Sequence, residues 1–318
     1  ALDMSSSNNT NTNTNTTTNM EISLTTPTLK RQKSNVAPVA THTSEIITAV
    51  NKHFKIYGTS AAKGTTNATY SALFGVLRAL TTVLDGGLDS YLDTLLGYAL
   101  QCIKDKLNPG LRYDGLLFIY TCLQTHGTDM STYLPMIQSI VLEIISTNTT
   151  NTANTSSKDS SKLIIKALQL IEEMIVMYRP ITPGEDKSGG NLDRKLIFDT
   201  VYSRLDTNIS NSDNIEEKCG IMSCIGVIIA SCVDSGDVSV DSVTTILLSR
   251  LDNEALRSSV LKTLVTIAQS PLHTVSLLYT NEIITKIITY LQLTNRIWKH
   301  YSLVLIDTLI KKSNSNKF

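Results

Sequence analysis

The chain has no surplus of charge: 28 Lys and Arg stand against 28 Asp and Glu. That balance argues against binding nucleic acid by bulk electrostatics, which needs a basic excess. The one short basic cluster near the start, "LKRQK" from Leu29 to Lys33, reads as part of a solvated tail. Long apolar runs are missing too. The best, "CIGVIIASCV" from Cys224 to Val233, falls well short of the roughly 18 residues a bilayer span requires. The first residues, "ALDMSSSNNTNTNTNTTTNM", lack the apolar segment of a secretory signal. An intracellular protein, cytoplasmic or nuclear, with neither nucleic acid nor membrane as partner, is the expectation. Five cysteines are too few for a disulfide framework in a chain of this size. Cys219, Cys224 and Cys232 cluster in sequence, but on one helix they point in three directions at roughly 100° per residue, so packing explains them better than a metal.

Catalytic signatures are also wanting. His42, His53, His126, His273 and His300 are scattered without a cysteine or carboxylate at ligand spacing. "GTSAAKGTT" from Gly58 has the wrong spacing for a phosphate-binding loop and reads as a connector. No G-x-S-x-G elbow occurs. Glu172 and Glu173 are adjacent, so their side chains diverge by roughly 100°, and they are expected on a solvated helix face. The lone Trp298 opens the last helical stretch and is expected to pack. Neither catalysis, metal nor cofactor is therefore expected.

What is present is helix after helix. Residues 1 to about 43 are rich in Asn, Thr and Ser and predict a disordered tail. A tract of the same composition at 147–159 predicts an inserted loop, and 313–318 a short tail. Between them, residues 44–312 show apolar residues at three- and four-residue spacing, with Pro and Gly falling between the apolar stretches. "SRLD" occurs twice, at Ser203–Asp206 and Ser249–Asp252, each time closing one apolar stretch before a second begins.

The second stretches align. Ala68, Leu111, Leu163, Leu256 and Ile297 share one position. Four residues on stand Ala72, Gly115, Ala167, Val260 and Tyr301; then Val76, Ile119, Ile171, Leu264 and Leu305; then Leu80, Leu123, Ile175, Ala268 and Leu309. Positions four apart share a helix face, so this is one buried stripe repeated. A further stretch, Glu217-Ile221-Ile225-Ile229, departs only at Glu217. Two polar rows repeat beside it. Three residues past the first position stand Ser71, Asp114, Lys166, Ser259 and His300; ten past it stand Arg78, Thr121, Glu173, Thr266 and Asp307. These rows are expected on the face opposite the stripe. Spacings of roughly 40 to 54 residues predict an all-α, HEAT/armadillo-type superhelical solenoid of about six helix pairs. Asp252 in a turn and Arg257 early in the next helix resemble the Asp and Arg that tend to pair in HEAT arrays, and are expected to do so; the Leu-Arg start recurs at Leu111-Arg112.

Several stretches in order carry a resemblance to a known family. They are "LRYDGLLFIYTCLQTHG" and "YLPMIQSIV" between Leu111 and Val141, "KALQLIEEMIVMYRPI" from Lys166, "IEEKCGIMSCIGVII", "SRLDNEALRSSVLKTLVTIAQSPL" ending at Leu272, and "LVLIDTLIKK" from Leu303. Over about Thr43 to Lys312 the chain resembles the central part of the cullin-associated, neddylation-dissociated family of HEAT-repeat regulators. The resemblance implies a non-catalytic scaffold that binds an unmodified cullin with its RING subunit and promotes exchange of substrate receptors. It also implies a monomeric central segment of a longer chain, without the family's terminal repeats. The candidate partner surface is the line of polar positions from Arg78 and Asp114 past Lys166 and Glu173 to Lys262, His300 and Asp307. Another HEAT scaffold, of the importin or phosphatase type, stays open as an alternative; a transport receptor would carry acidic inner helices, and the rows here are mixed in charge.

Overall fold

The computed structural model describes residues 37–57, 67–84, 87–146, 157–178, 192–211, 214–232, 240–270 and 281–315. Of the expected tail over 1–43, residues 1–36 lie outside the described residues and 37–43 are helical; of the expected loop at 147–159, residues 147–156 lie outside and 157–159 are helical; of the expected tail at 313–318, residues 313–315 are helical. The connector from Gly58 and His273 also lie outside the described residues. Within them are twelve α-helices and no strand. They are α1 (Ala37–Phe54), α2 (Asn67–Leu84), α3 (Leu92–Lys104), α4 (Pro109–His126), α5 (Leu134–Ser146), α6 (Ser157–Met177), α7 (Arg194–Asn211), α8 (Ile215–Cys232), α9 (Val240–Arg250), α10 (Glu254–Gln269), α11 (Asn281–Gln292) and α12 (Arg296–Ser315). Short 3₁₀ segments, Asp89–Tyr91 and Gly127–Tyr133, precede α3 and α5.

Each odd-numbered helix packs on the even one that follows it, which makes six pairs. The even helices also pack on one another in unbroken succession, α2 on α4, α4 on α6, and so to α12, while α3, α5 and α7 adjoin in the odd layer. One hydrophobic core runs from Ile47 to Leu309 through all six pairs. A helix pair has too little apolar area to fold alone, so stacking neighbours into a continuous core supplies the stability.

Helix ends follow from local chemistry. Pro109 sits in the first turn of α4, where its missing N–H is no loss. Gly127 closes α4 with φ of +56°, a conformation that favours glycine, and the Tyr178 hydroxyl donates to its carbonyl at 2.9 Å. The Asn253 side chain caps α10 by accepting from the Ala255 N–H at 3.0 Å. Arg112 and Arg257 do one job in two units. The Nε of Arg112 donates to the Ile103 carbonyl at 2.8 Å, and that of Arg257 to the Leu251 carbonyl at 2.8 Å. Each satisfies an orphan carbonyl at the end of the preceding helix. The expected Asp252–Arg257 pair is therefore different in detail. Arg257 reaches the Asp252 backbone carbonyl, whereas the Asp252 carboxylate accepts from Lys286 of α11 at 3.1 Å and ties one unit to the next.

The buried stripe is complete in α4, α6 and α10, where all four aligned positions are buried. In α8, Glu217 keeps its place in the stripe: its side chain is buried, Arg204 of α7 meets it at 2.8 Å, and Ser161 of α6 donates to it at 3.1 Å. In α2 the expected phase is wrong. Ala68, Ala72 and Val76 face solvent, and Tyr70, Phe74 and Leu77 are buried. Aromatic area decides this, because Phe74 lies 5.0 Å from Phe54 and 5.9 Å from Phe118, ring centre to ring centre, and burying those rings removes far more apolar surface from water than burying two alanines. In α12, Ile297 is exposed and Trp298 packs instead. Arg257 stacks between Trp298 and Tyr290, 4.4 and 4.9 Å from their ring centres, and the Trp298 indole N–H donates to Ser258 at 2.9 Å. The first "SRLD" does not end its helix, since α7 continues to Asn211; the second closes α9 as expected.

Candidate interaction surface

Among the described residues, the even-numbered helices present a face that is continuous along the array. Both polar rows border it, but they do not lie opposite the stripe. In α4, α6 and α10 every residue of these rows is half-buried; only in α12 are His300 and Asp307 exposed. The helical angle explains the difference. Counting about 100° per residue, the stripe is centred near 60°, the positions three and ten along fall near 290°, and those six and thirteen along fall near 230°. The rows therefore sit on the flank where one even helix meets its neighbour.

The flank positions hold the units together. Ser71 of α2 donates to the Asp114 carboxylate of α4. The Lys166 ammonium of α6 lies 4.6 Å from the centre of the Tyr120 ring of α4 and donates to Gln169 at 2.6 Å; burial lowers its pKa. Tyr120 donates to Glu173, and burial, then the charges of Glu173 and Glu172, raise the Tyr120 phenol. Ser259 of α10 donates to the Cys219 carbonyl of α8 at 3.5 Å. Asp307 pairs with Lys311 at 2.7 Å along α12.

Of the seven candidate residues, Lys166 and Glu173 meet around Tyr120, and Lys262 lies close enough to Glu172 to lower its pKa. Arg78 on α2 and Asp307 on α12 stand at the two ends of the array. Glu172 is not on a solvated face. It is half-buried, and burial raises its carboxyl above the ordinary glutamate range, opposed by a hydrogen bond from Ser223 and by the charge of Lys262. The open positions are those six and thirteen along: Gln124 on α4, Gln169 and Val176 on α6, Lys262 and Gln269 on α10, Leu303 and Ile310 on α12, all exposed. Centring the stripe before seeking its opposite would have found them in the sequence. Among the seven candidates, Lys262 alone stands on this open row.

No other part of the described chain gathers chemistry. No group of three or more His, Cys, Asp or Glu among the described residues could hold a metal ion. His126 is buried, with its Nδ1 2.8 Å from the exposed Asp89 carboxylate. In the odd layer a shallow groove of about 390 Å³ runs between α3 and α5, floored by Leu96, Gly97 and Leu100 and walled by Tyr133 and Met136. No described helix is long and apolar enough to cross a membrane.

Among the described residues, twelve helices in six stacked pairs, with the even layer continuous from α2 to α12, define a HEAT-like α-α solenoid. In sequence the chain is similar to the protein named Cullin-associated NEDD8-dissociated protein 1 in two organisms. It is 25% identical over 308 residues to that of Arabidopsis thaliana, covering 92% of this chain and 23% of the relative. To that of Drosophila melanogaster it is 27% identical over 246 residues, covering 76% and 19%. The chain thus spans about a fifth of the length of these curated relatives. No family model matches it. Among solved structures, an engineered protein superposes with a TM-score of 0.51 at 12% identity, over 83% of this chain and 97% of the other, a likeness of fold alone. A Kap121p mutant reaches a TM-score of 0.46 at 12% identity over 90% of this chain and 32% of the other, too low to bear on the importin-type alternative.

Proposed function

We propose that this chain supplies one span of a cullin-binding arc, as a non-catalytic part of a regulator of cullin-RING ligase assembly that works in the cytoplasm or nucleus. The observation that carries the reading is the similarity over 92% of the chain to a protein named for cullin association. The continuous even layer supports it, since a stacked array spreads many weak contacts along a large partner. In this reading the cullin, in its unmodified form and with its RING subunit, lies along the even helices, and Lys262 with the half-buried Lys166 contributes charge contacts.

One span of such an arc binds weakly alone, because tethered contacts multiply affinity only when all engage together. The test is a chimera in which this chain replaces the matching segment of the Arabidopsis relative. Surface plasmon resonance should record binding to an unmodified cullin–RING pair and much weaker binding to the NEDD8-modified form. Lys166→Glu with Lys262→Glu should raise the dissociation rate more than it slows association. Equal binding of the two cullin forms would make this chain a scaffold for something else.

A further inference from the structure

The groove between α3 and α5 lies in the odd layer, away from both ends of the array. Helix α5 adjoins α3 on one side and α7 on the other, so a further unit stacked at either end would not reach it. Its floor is apolar and its middle is empty. Leu96 and Leu100 are buried, Met136 of α5 stands beside them 47% exposed, and Gly97 lies between them without a side chain. A glycine inside a helix costs stability. At Gly115 and Gly226 the chain has a reason for one, since a Cβ there would press on Ile103 at 2.9 Å and on Thr263 at 2.6 Å. A Cβ on Gly97 would meet nothing within 4 Å. The space over Gly97 is not filled by any described part of the chain.

The two ends of the groove differ. At the amino-terminal end of α3 the Tyr133 hydroxyl donates to the Asp93 carboxylate, so both groups there are engaged. At the other end the charges around Lys104 are engaged as well. Lys106 pairs with Glu143 at 2.9 Å, the Asp105 carboxylate accepts from Tyr57 and Asn108, and Arg112 donates to the Ile103 carbonyl. Lys104 itself is exposed, and among the described residues it meets neither a carboxylate nor a hydrogen-bond acceptor.

From Asp93 to Lys104 is roughly 16 Å of helix, or about three turns. A groove this shallow suits a protein segment better than a small molecule, because pocket ligands bury roughly 70–90% of their surface. A helix fits it better than an extended strand. The walls are helices whose backbone groups are already paired, so an extended chain would leave its own N–H and C=O groups without partners, whereas a helix pairs them internally.

We infer that the α3–α5 groove docks a short helix from a protein partner, apolar on the face that enters over Gly97 and carrying a carboxylate at the end that meets Lys104. The apolar floor supplies the buried contact, and the unpaired ammonium fixes the direction in which the helix lies. This inference is independent of the cullin reading, which concerns the even layer.

The probe is a fluorescein-labelled, alanine-rich helix of about 14 residues, with leucines at i, i+4 and i+7 and glutamates at one end only. A second peptide carries lysines in place of the glutamates, and a third carries serines in place of the leucines. Fluorescence anisotropy with the full chain should show the first peptide binding, the second binding severalfold less tightly, and the third not at all. Gly97→Leu fills the groove without a clash and should abolish binding. Lys104→Glu should invert the preference, so that the lysine peptide binds more tightly than the glutamate one. Lys195→Glu, at an exposed cation of α7 in the same layer, should change nothing. Circular dichroism of each variant confirms the helical fold. Failure of the first peptide to bind, unchanged affinity in Gly97→Leu, or an unchanged preference in Lys104→Glu would overturn the inference. So would sedimentation showing a dimer that Gly97→Leu dissociates, which would make a second copy of the chain the occupant.

Discussion

Glu217 stands in line with Ile221, Ile225 and Ile229, where an apolar residue would be expected, and it stays buried because Arg204 and Ser161 satisfy both carboxylate oxygens. A buried charge is tolerated when paired and hydrogen-bonded, and is costly otherwise. Leu264 is the ordinary case: it has no exposed surface, two residues from the exposed Lys262. Leu264→Ala should destabilise the chain by about 2–5 kcal/mol in urea unfolding, and Lys262→Ala by about 0.5 kcal/mol or less. Equal effects would contradict the helix phase. Glu172 predicts a pH dependence. Its pKa is raised in the folded chain, so below the unfolded value of about 4.3 the carboxyl is protonated in both states and its burial is no burden. As pH rises past that value the folded chain must hold the proton or bury the charge, and stability falls until the folded pKa is passed. Glu172→Gln removes that loss. Its melting temperature should exceed the parent's at pH 7.5, and the two should converge near pH 4; a constant difference across that range would refute the assignment.

Between helices, glycines mark where backbones come close and where they do not. A Cβ built on Gly226 of α8 would lie 2.6 Å from Thr263 Cγ2 of α10. Thr263 cannot simply rotate away, because its hydroxyl donates to the Met222 carbonyl at 3.2 Å. Gly226→Ala should therefore cost about 1–3 kcal/mol by overpacking the α8–α10 contact. A Cβ on Gly97 of α3 would meet nothing within 4 Å. Gly97→Ala should stabilise by about 0.5–1 kcal/mol, since alanine in a helix interior loses less backbone entropy than glycine. Thermal melts of the two variants shifting in the same direction would contradict this placement of α3 and α8. The flank contacts belong to this scale as well. Lys166 over Tyr120 and Ser71 on Asp114 spend polar side chains on joining successive units, which makes these rows structural before they are available to a partner.

Over the whole array, each pair rests on its neighbours, and stability propagates along the chain as a sum of pair and junction terms. An insertion between two helices of one pair adds little to that sum, because closing a longer flexible loop costs only slowly more. The tract at 147–156 joins α5 to α6 and carries no apolar residue able to anchor it. Replacing it with a short Gly-Ser linker should leave the melting temperature within a degree or two of the parent. A fall of many degrees would mean that the tract packs on the solenoid.

The sequence by itself determined the class of fold, the number of pairs and the stripe in α4, α6 and α10. These depend on the spacing of apolar residues along one helix, which is a local property. It did not determine the phase of α2, because Tyr70 and Phe74 win the core only when Phe54 and Phe118 arrive from other helices. Nor did it reveal that Glu217 would be satisfied by an arginine thirteen residues earlier. The polar rows repeat visibly in the sequence, but whether a repeated polar residue faces solvent or joins two units depends on where the next helix packs. Only the stacking of α4, α6, α8 and α10 turned those rows into junctions, since whether a flank residue meets a neighbouring helix belongs to the assembled layer and not to any one helix, whereas the open positions Gln124, Gln169 and Lys262 follow from the helical angle alone.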